Sequence, residues 1–511
     1  MGCVFPKSGP TPKATTSTPS IRTVLSNKTS PRKVIPEKPT AQKINYPEIH
    51  CKTSPAKKPV PKPPSNPFFL RLKDFCIKPS NQHQLRSNFS PTQIKYDAES
   101  TRIIVHHRYP ALVDAFLTHK REHGSAIEKD LYTEAWTWQQ QISRLIAKRP
   151  LVFMNATDYT VLRDGSVIKK ATEKWDRVGT MRERYNKHSK LSLEDYLSYD
   201  EIMLGSLIGG RGYNEGKRGR EGTFEERGII VGLVGARFER ADRMDSLLIL
   251  DEDLDQDGEE GKSVVMNEEL VKSLQVFFGR VKRERSEDTV DEDAVDGGDT
   301  ADGDFKGGWF DKVMYKARMR ITVDMLLWEA SSRAQKAKTS AYVHVAGFGL
   351  GVWAMHHNQM RWFLEVWGVA IGQEDLGPIG TVESAHILRD GEGPGKRTVD
   401  QKRIITLRSA KKGVDGIFSG RSPAKKLSGD KRKQLLVVSY AWDGDSFPGN
   451  EYWAGKLQAS GDPAAACMST IGELHSPIIN PGFLDRIELE EDTNRQDSGG
   501  GTGLSQRSRA T

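Results

Sequence analysis

Apolar residues along the chain fall into two alternating rhythms. Ile127, Leu131, Ala135, Trp138, Ile142 and Leu145 recur at spacings of three and four, one face of a helix, and predict an amphipathic helix ending near Pro150. Leu270, Leu274, Phe277 and Val281 predict a second after the acidic opening Asn267-Glu268-Glu269, and residues 309–337 a long third. Between them stand short continuous apolar runs: Leu151–Met154, Ile229–Val234, Leu247–Leu250, Tyr342–Val345 and Leu435–Tyr440. Such runs suit strands covered on both faces, and their alternation with helices predicts an α/β layered domain. In sheets of that kind ligands sit at the carboxyl ends of the strands.

Composition limits how much of the 511-residue chain folds. Fourteen of its 25 prolines lie between Pro6 and Pro67, spaced by Lys, Ser and Thr, so residues 1–66 cannot bury a core and read as a disordered tail. That tail holds twelve Lys or Arg against Glu37 and Glu48, so the chain's net +8 becomes −2 over the remaining 445 residues. The basicity belongs to the tail, which removes the argument for a nucleic-acid partner. Two internal stretches, an acidic one at about 284–308 and a basic, Gly-rich one at about 390–433, read as disordered loop insertions in a domain over 67–489, with a second disordered tail at 490–511. No apolar run approaches the ~18 residues of a membrane span. Four cysteines (Cys3, Cys51, Cys76, Cys467) make no disulfide framework and fit a reducing, cytoplasmic setting, or a nuclear one. Cys3 beside the basic tail leaves reversible acylation open.

Four apolar runs end in Gly, Asn or Asp. After Leu151–Met154 come Asn155 and Asp158; after Ile229–Val234 comes Gly235-Ala236-Arg237; after Tyr342–Val345 come Gly347, Gly349 and Gly351; and after Leu435–Tyr440 comes Trp442-Asp443-Gly444-Asp445, with Asn450, Glu451 and Asp462 close behind. Alternating glycines between a strand and a helix cradle a diphosphate through bare N–H groups, or serve tight strand–helix packing. The spacing G-x-G-x-G fits neither standard nucleotide fingerprint. The clustered carboxylates suit glycosidic chemistry and ribose hydroxyls, or mark ordinary Asp-Gly turns.

Other patterns carry less. His119-Lys120-Arg121-Glu122-His123 matches a zinc peptidase motif, but its charged flanks and the closing Gly124-Ser125 read as an exposed helix end. Asp253, Asp255 and Asp257 imitate a calcium loop that has Val264 where a bidentate Glu belongs. No metal and no cofactor is expected.

The phrases NATDYTVLRDG (155–165), DYLSYDEIMLGSLIGG (195–210), GLVGARFE (232–239), YVHVAGFGLGVW (342–353), VVSYAWDGDSFPGNEYW (437–453) and ASGDPAAACMSTI (459–471) resemble, in order, the MavL-like ADP-ribosylhydrolases, a macrodomain-related group. The resemblance implies a macrodomain-like three-layer α/β/α fold with a mixed sheet, similar to poly(ADP-ribose) glycohydrolase. It implies binding of ADP-ribose and hydrolysis of its bond to a protein side chain; the bacterial namesake acts on an arginine-linked modification of ubiquitin. By the same resemblance Asp443, Glu451 and Asp462 are the catalytic carboxylates, Glu451 standing where an aspartate is expected. The glycines Gly347, Gly349 and Gly351 would hold the diphosphate; Asn155 and Asp158 would lie near the nucleotide; Trp442, Asp445 and Asn450 complete the expected binding set. The alternatives are a module that binds ADP-ribose without cleaving it, and an interaction protein on a degenerate fold.

Overall fold

The computed structural model describes residues 89–490, except 155–157, 186–189, 215–227, 239, 241, 253–267, 281–307, 357, 374–375, 386, 388–412, 424 and 448–473. The tail expected over 1–66, residues 284–307 and 390–412 of the expected insertions, and the end from 491 onward lie outside the described residues.

Twelve strands occur among the described residues: β1 (Arg102–Val105), β2 (Tyr159–Val161), β3 (Val167–Lys169), β4 (Ile208–Asn214), β5 (Gly228–Val234), β6 (Leu250–Glu252), β7 (Gly308–Phe310), β8 (Ala341–Val345), β9 (Ile379–Ala385), β10 (Asp415–Ser419), β11 (Leu435–Trp442) and β12 (Ile487–Leu489). Eight of them form one sheet in the order β10-β9-β8-β11-β5-β4-β1-β12. From β10 to β5 every pairing is parallel. β4 runs antiparallel to both β5 and β1, and β12 is parallel to β1. Seven strands therefore point one way and β4 the other, a mixed sheet within the α/β class that the alternating pattern predicts. Val234 pairs with Trp442 and Val438 with His344, so β5, β11 and β8 deliver their carboxyl ends to one edge.

The long helix Lys312–Lys336 packs against β5, β8, β9 and β11. Asp311 starts it: its carboxylate accepts from the N–H groups of Val313 and Met314, which would otherwise lack partners. A second helix, Gln359–Ile371, follows the glycine loop after β8 and buries Phe363, Leu364 and Trp367.

Three elements differ from the sequence expectation. The helix predicted toward Pro150 is two helices, Ala126–Leu131 and Trp138–Ala147, because Ser125/Glu128 and Thr137/Gln140 each form a capping box that begins a new helix. Leu247–Leu250 is mostly a helical turn, Ser246–Ile249, started by N–H bonds from Leu248 and Ile249 to the Asp245 carbonyl; a four-residue apolar run carries no period to distinguish it from a strand. Leu151–Met154 lies off the main sheet and makes only an isolated bridge between Val152 and Val161.

Strands were also hidden. Part of the insertion expected at 390–433 is β10, an edge strand paired along its length with β9; its single apolar pair, Ile417-Phe418, leaves no apolar run to read. β4, with the sequence IGGRGYN, reads as loop because of its glycines. One of them, Gly210, answers to Trp442. Its indole lies across neighbouring strands, where a Cβ on Gly232 would fall 2.0 Å from Trp442 Nε1 and one on Gly210 would fall 2.2 Å from Trp442 Cη2. Glycine inside a strand here marks a side chain approaching the backbone closely.

Candidate active site

The edge where β5, β8 and β11 end is organised around one arginine. Arg237, three residues beyond β5, donates from Nη1 to Asp443 Oδ1 at 2.9 Å and from Nη2 to Asp445 Oδ2 at 3.2 Å. Its guanidinium also lies 4.7 Å from the centroid of the Trp353 ring, in the loop that follows β8. One side chain thus joins the second, third and fourth polar strand ends read from the sequence. The run that leads to the first is held at its start, where the Phe447 N–H bonds the Pro150 carbonyl at 2.9 Å.

Arg237 is held from behind by alternating charge. Its backbone N–H donates to Asp245 Oδ2 at 2.8 Å, and Asp245 Oδ1 accepts from Arg318 Nε at 3.0 Å. Arg318, fully buried in the long helix, donates to the carbonyls of Ser206 at 2.8 Å and Gly235 at 3.2 Å and to Thr322 Oγ1 at 3.0 Å. A buried charge is tolerable only when paired and hydrogen-bonded; here the pairing runs from the long helix to the acidic turn. Arg149, also fully buried, feels the charges of both aspartates of that turn. It lies 5.6 Å from the Trp442 ring and donates to the carbonyls of Leu145 at 2.7 Å and Gly205 at 3.1 Å. Burial drives its pKa down to about 10, and the charges of Asp445, Tyr109 and Asp443 oppose that.

The two aspartates of the turn are inequivalent. Asp443 is 23% exposed and also accepts from Ser446 Oγ at 3.3 Å. Asp445 is 1% exposed. Burial is the largest influence on Asp445 and lifts its pKa to about 7; Arg237 pulls it down, Asp443 raises it and Arg149 lowers it. The folded protein therefore holds a proton that the unfolded chain gives up near 3.8. This contribution to stability is complete below the unfolded value and is lost as pH climbs through about 7, with a slope of at most ~1.4 kcal/mol per unit. Wild type is expected to lose stability from about pH 4 to about pH 7, and Asp445→Asn to lose less; urea denaturation of both across that range measures the difference. Equal slopes would detach Asp445 from this linkage.

The glycine loop abuts the same turn. Gly349 has φ +67° and Gly351 φ +70°, left-handed backbone that an L side chain strains to adopt. A Cβ on Gly235 would lie 2.3 Å from Gly349 N, so the backbones after β5 and β8 touch directly. Around Gly351 a Cβ would meet nothing within 4 Å, so its glycine answers to conformation and not to packing. Gly347 would make only ordinary contact with Leu350 and Ile387. Trp353, at the end of the loop, is 41% exposed.

The remaining expected residues divide. Trp442 is buried beneath the turn, edge-on to His475 at 5.3 Å, and so supports the strand end and offers no open ring. Asp158 has φ +51° and its Oδ1 accepts from Thr172 N at 2.9 Å and Thr172 Oγ1 at 2.7 Å, binding the start of helix Ala171–Trp175. Asn155, Asn450, Glu451 and Asp462 lie outside the described residues. Sequence reading left Arg237, Asp245, Arg318 and Arg149 without a role. Arg237 stood in view after Gly235-Ala236, but nothing local identified its partners, which lie some 200 positions on. A cavity of about 730 Å³ lined by Arg108, Phe278, Lys316 and Arg320 shares no residue with this network.

Residues 68–492 match the family described as "ADP-ribosylhydrolase MavL-like". The chain belongs to that family. It is 34% identical over 419 residues to ADP-ribosylarginine hydrolase CG3568 of Drosophila melanogaster, covering 78% of this chain and 79% of that one. It is 33% identical over 412 residues to ADP-ribosylarginine hydrolase CG2909 of the same organism, covering 77% and 79%. The MavL-like region takes in every strand of the sheet and the whole charged network. As a MavL-like ADP-ribosylhydrolase the protein is a hydrolase, and none of its described helices is long and apolar enough to cross a membrane.

Proposed function

We propose that this MavL-like domain removes ADP-ribose from arginine side chains of modified proteins, in a macrodomain-like cleft at the carboxyl edge of β5, β8 and β11. The observation that carries the reading is Arg237, which binds Asp443 and Asp445 while stacking on Trp353. Acids and bare backbone amides are thereby neighbours, as a sugar joined to a pyrophosphate requires. The diphosphate would lie along Gly347, Gly349 and Gly351, with Asn155 and Asp158 toward the nucleotide. Trp353 adds an exposed ring beside the glycines. Arginine is favoured as the acceptor by the names of the two Drosophila relatives.

In the reaction the bond between ribose C1″ and the arginine nitrogen breaks through an oxocarbenium-like state. Water adds its oxygen to C1″ and the guanidine leaves with a proton. Asp443 and Asp462 would orient ribose hydroxyls and stabilise the developing positive charge. Glu451 or one of those aspartates would take the proton from water. Asp445, buried and bound to Arg237, would fix the arginine and so aim Asp443.

The test is incubation with proteins ADP-ribosylated on arginine, serine or glutamate, arginine-modified ubiquitin among them, with free ADP-ribose measured. Release from the arginine-linked substrates alone is expected. Calorimetric binding of ADP-ribose with no turnover of any substrate would replace the hydrolase reading with that of a binding module.

A further inference from the structure

Three metal-ligating side chains meet on the helical layer, apart from the network around Arg237. His119 and His123 stand one turn apart in helix Tyr109–His123, and Glu269 lies in the first turn of helix Glu268–Phe278, which packs against it. Glu269 Oε2 is 3.7 Å from His119 Nδ1 and 3.6 Å from His123 Nε2. One ligand atom from each of the three falls within 4.8 Å of the others. The His119 side chain is only 10% exposed, and its buried Nδ1 has no hydrogen-bond partner among the described residues. The neighbouring cation does not fill the gap, because Lys120 Nζ is bound to Glu128 at 2.7 Å and Asp200 at 2.6 Å.

We propose that His119, His123 and Glu269 form a binding site for a divalent late first-row metal ion, zinc foremost, that clamps these two helices together. Ligands on a tetrahedral zinc at ~2.0–2.1 Å stand about 3.3 Å from one another. The observed 3.6 and 3.7 Å therefore need to close by a few tenths of an ångström, and the two imidazole nitrogens, within 4.8 Å of each other, by up to about 1.5 Å through side-chain rotation. Two imidazoles and one carboxylate suit zinc and its neighbours, whereas calcium and magnesium take oxygen ligands. His123 is 48% and Glu269 65% exposed, so a solvent molecule has room to complete the coordination. Since the ligands come together only in the folded chain, the ion would stabilise that state in proportion to its occupancy. The sequence shows the two histidines but not the third ligand, which arrives from a helix almost 150 positions later.

Zinc titration of the full-length protein, by calorimetry and by thermal unfolding, tests the site. His123→Gln and Glu269→Gln alter exposed groups and leave the fold in place. Each is expected to weaken zinc binding at least ~10-fold, equal to about 1.4 kcal/mol, and to abolish the rise in unfolding temperature that zinc gives the wild type. A wild-type protein that zinc does not stabilise, or variants that bind and respond as the wild type does, would overturn the proposal.

Discussion

Asp443→Ala is expected to lower ADP-ribose release by roughly 10²–10⁴-fold, the range for a group acting directly on proton transfer or charge in the transition state. The substitution should leave folding nearly intact. Asp443 is 23% exposed, so no sealed cavity forms on its removal. Arg237 keeps Asp445 at 3.2 Å, and losing Asp443, whose charge raises the Asp445 pKa, favours the ionised form of Asp445, so no buried cation is stranded. Initial rates on an arginine-linked substrate, beside a urea unfolding curve, separate the two effects. Full turnover in a folded variant would remove Asp443 from the reaction.

Arg237→Met should act in the opposite sense, on stability first. Arg237 is buried and is the group that Asp443 and Asp445 share. Its removal leaves those carboxylates facing one another, with Arg149 as the remaining cation whose charge acts on Asp445. Breaking a buried ion pair from one side costs about 3–5 kcal/mol, a large part of the stability of an ordinary domain. The midpoint of urea unfolding is expected to fall accordingly and to recover in part on acidification, since protonating Asp445 removes one of the opposed charges. Arg237→Lys should fall between, because an ammonium keeps the charge but cannot offer parallel donors to two carboxylates. A methionine variant that unfolds with the wild type would show the charged network to be without consequence for the fold.

The α/β class, the central strands and their polar ends were legible in the sequence because each rests on a local signal. Ile229–Val234 and Leu435–Tyr440 are runs buried on both sides, and residues 309–337 hold a helical period long enough to recognise. β4 was not legible because its glycines read as loop, and the indole that one of them, Gly210, makes room for stands more than 200 positions away. Arg237 was visible as a residue but not as a hub, since an arginine announces nothing about which carboxylates will find it. Asp443 was expected among the catalytic carboxylates and Asp445 in the binding set, but that the first is partly open and the second sealed is a matter of burial, which Asp-Gly-Asp does not spell. Trp442 stands in the sequence beside acids, where a ligand contact is expected; the space left by Gly210 and Gly232 takes its ring into the interior.

The position of β11 bears on how the chain is made. This strand lies between β5 and β8, yet it is synthesised after both. Until residues 435–442 leave the ribosome, β4 and β5 on one side and β8 and β9 on the other have no central strand to join them, and each half presents a bare hydrogen-bonding edge. A nascent or prematurely terminated chain lacking this strand would be a target for chaperones and for aggregation. The acidic turn would then be assembled late, as the two halves of the sheet are joined, with only the edge strand β12 still to come.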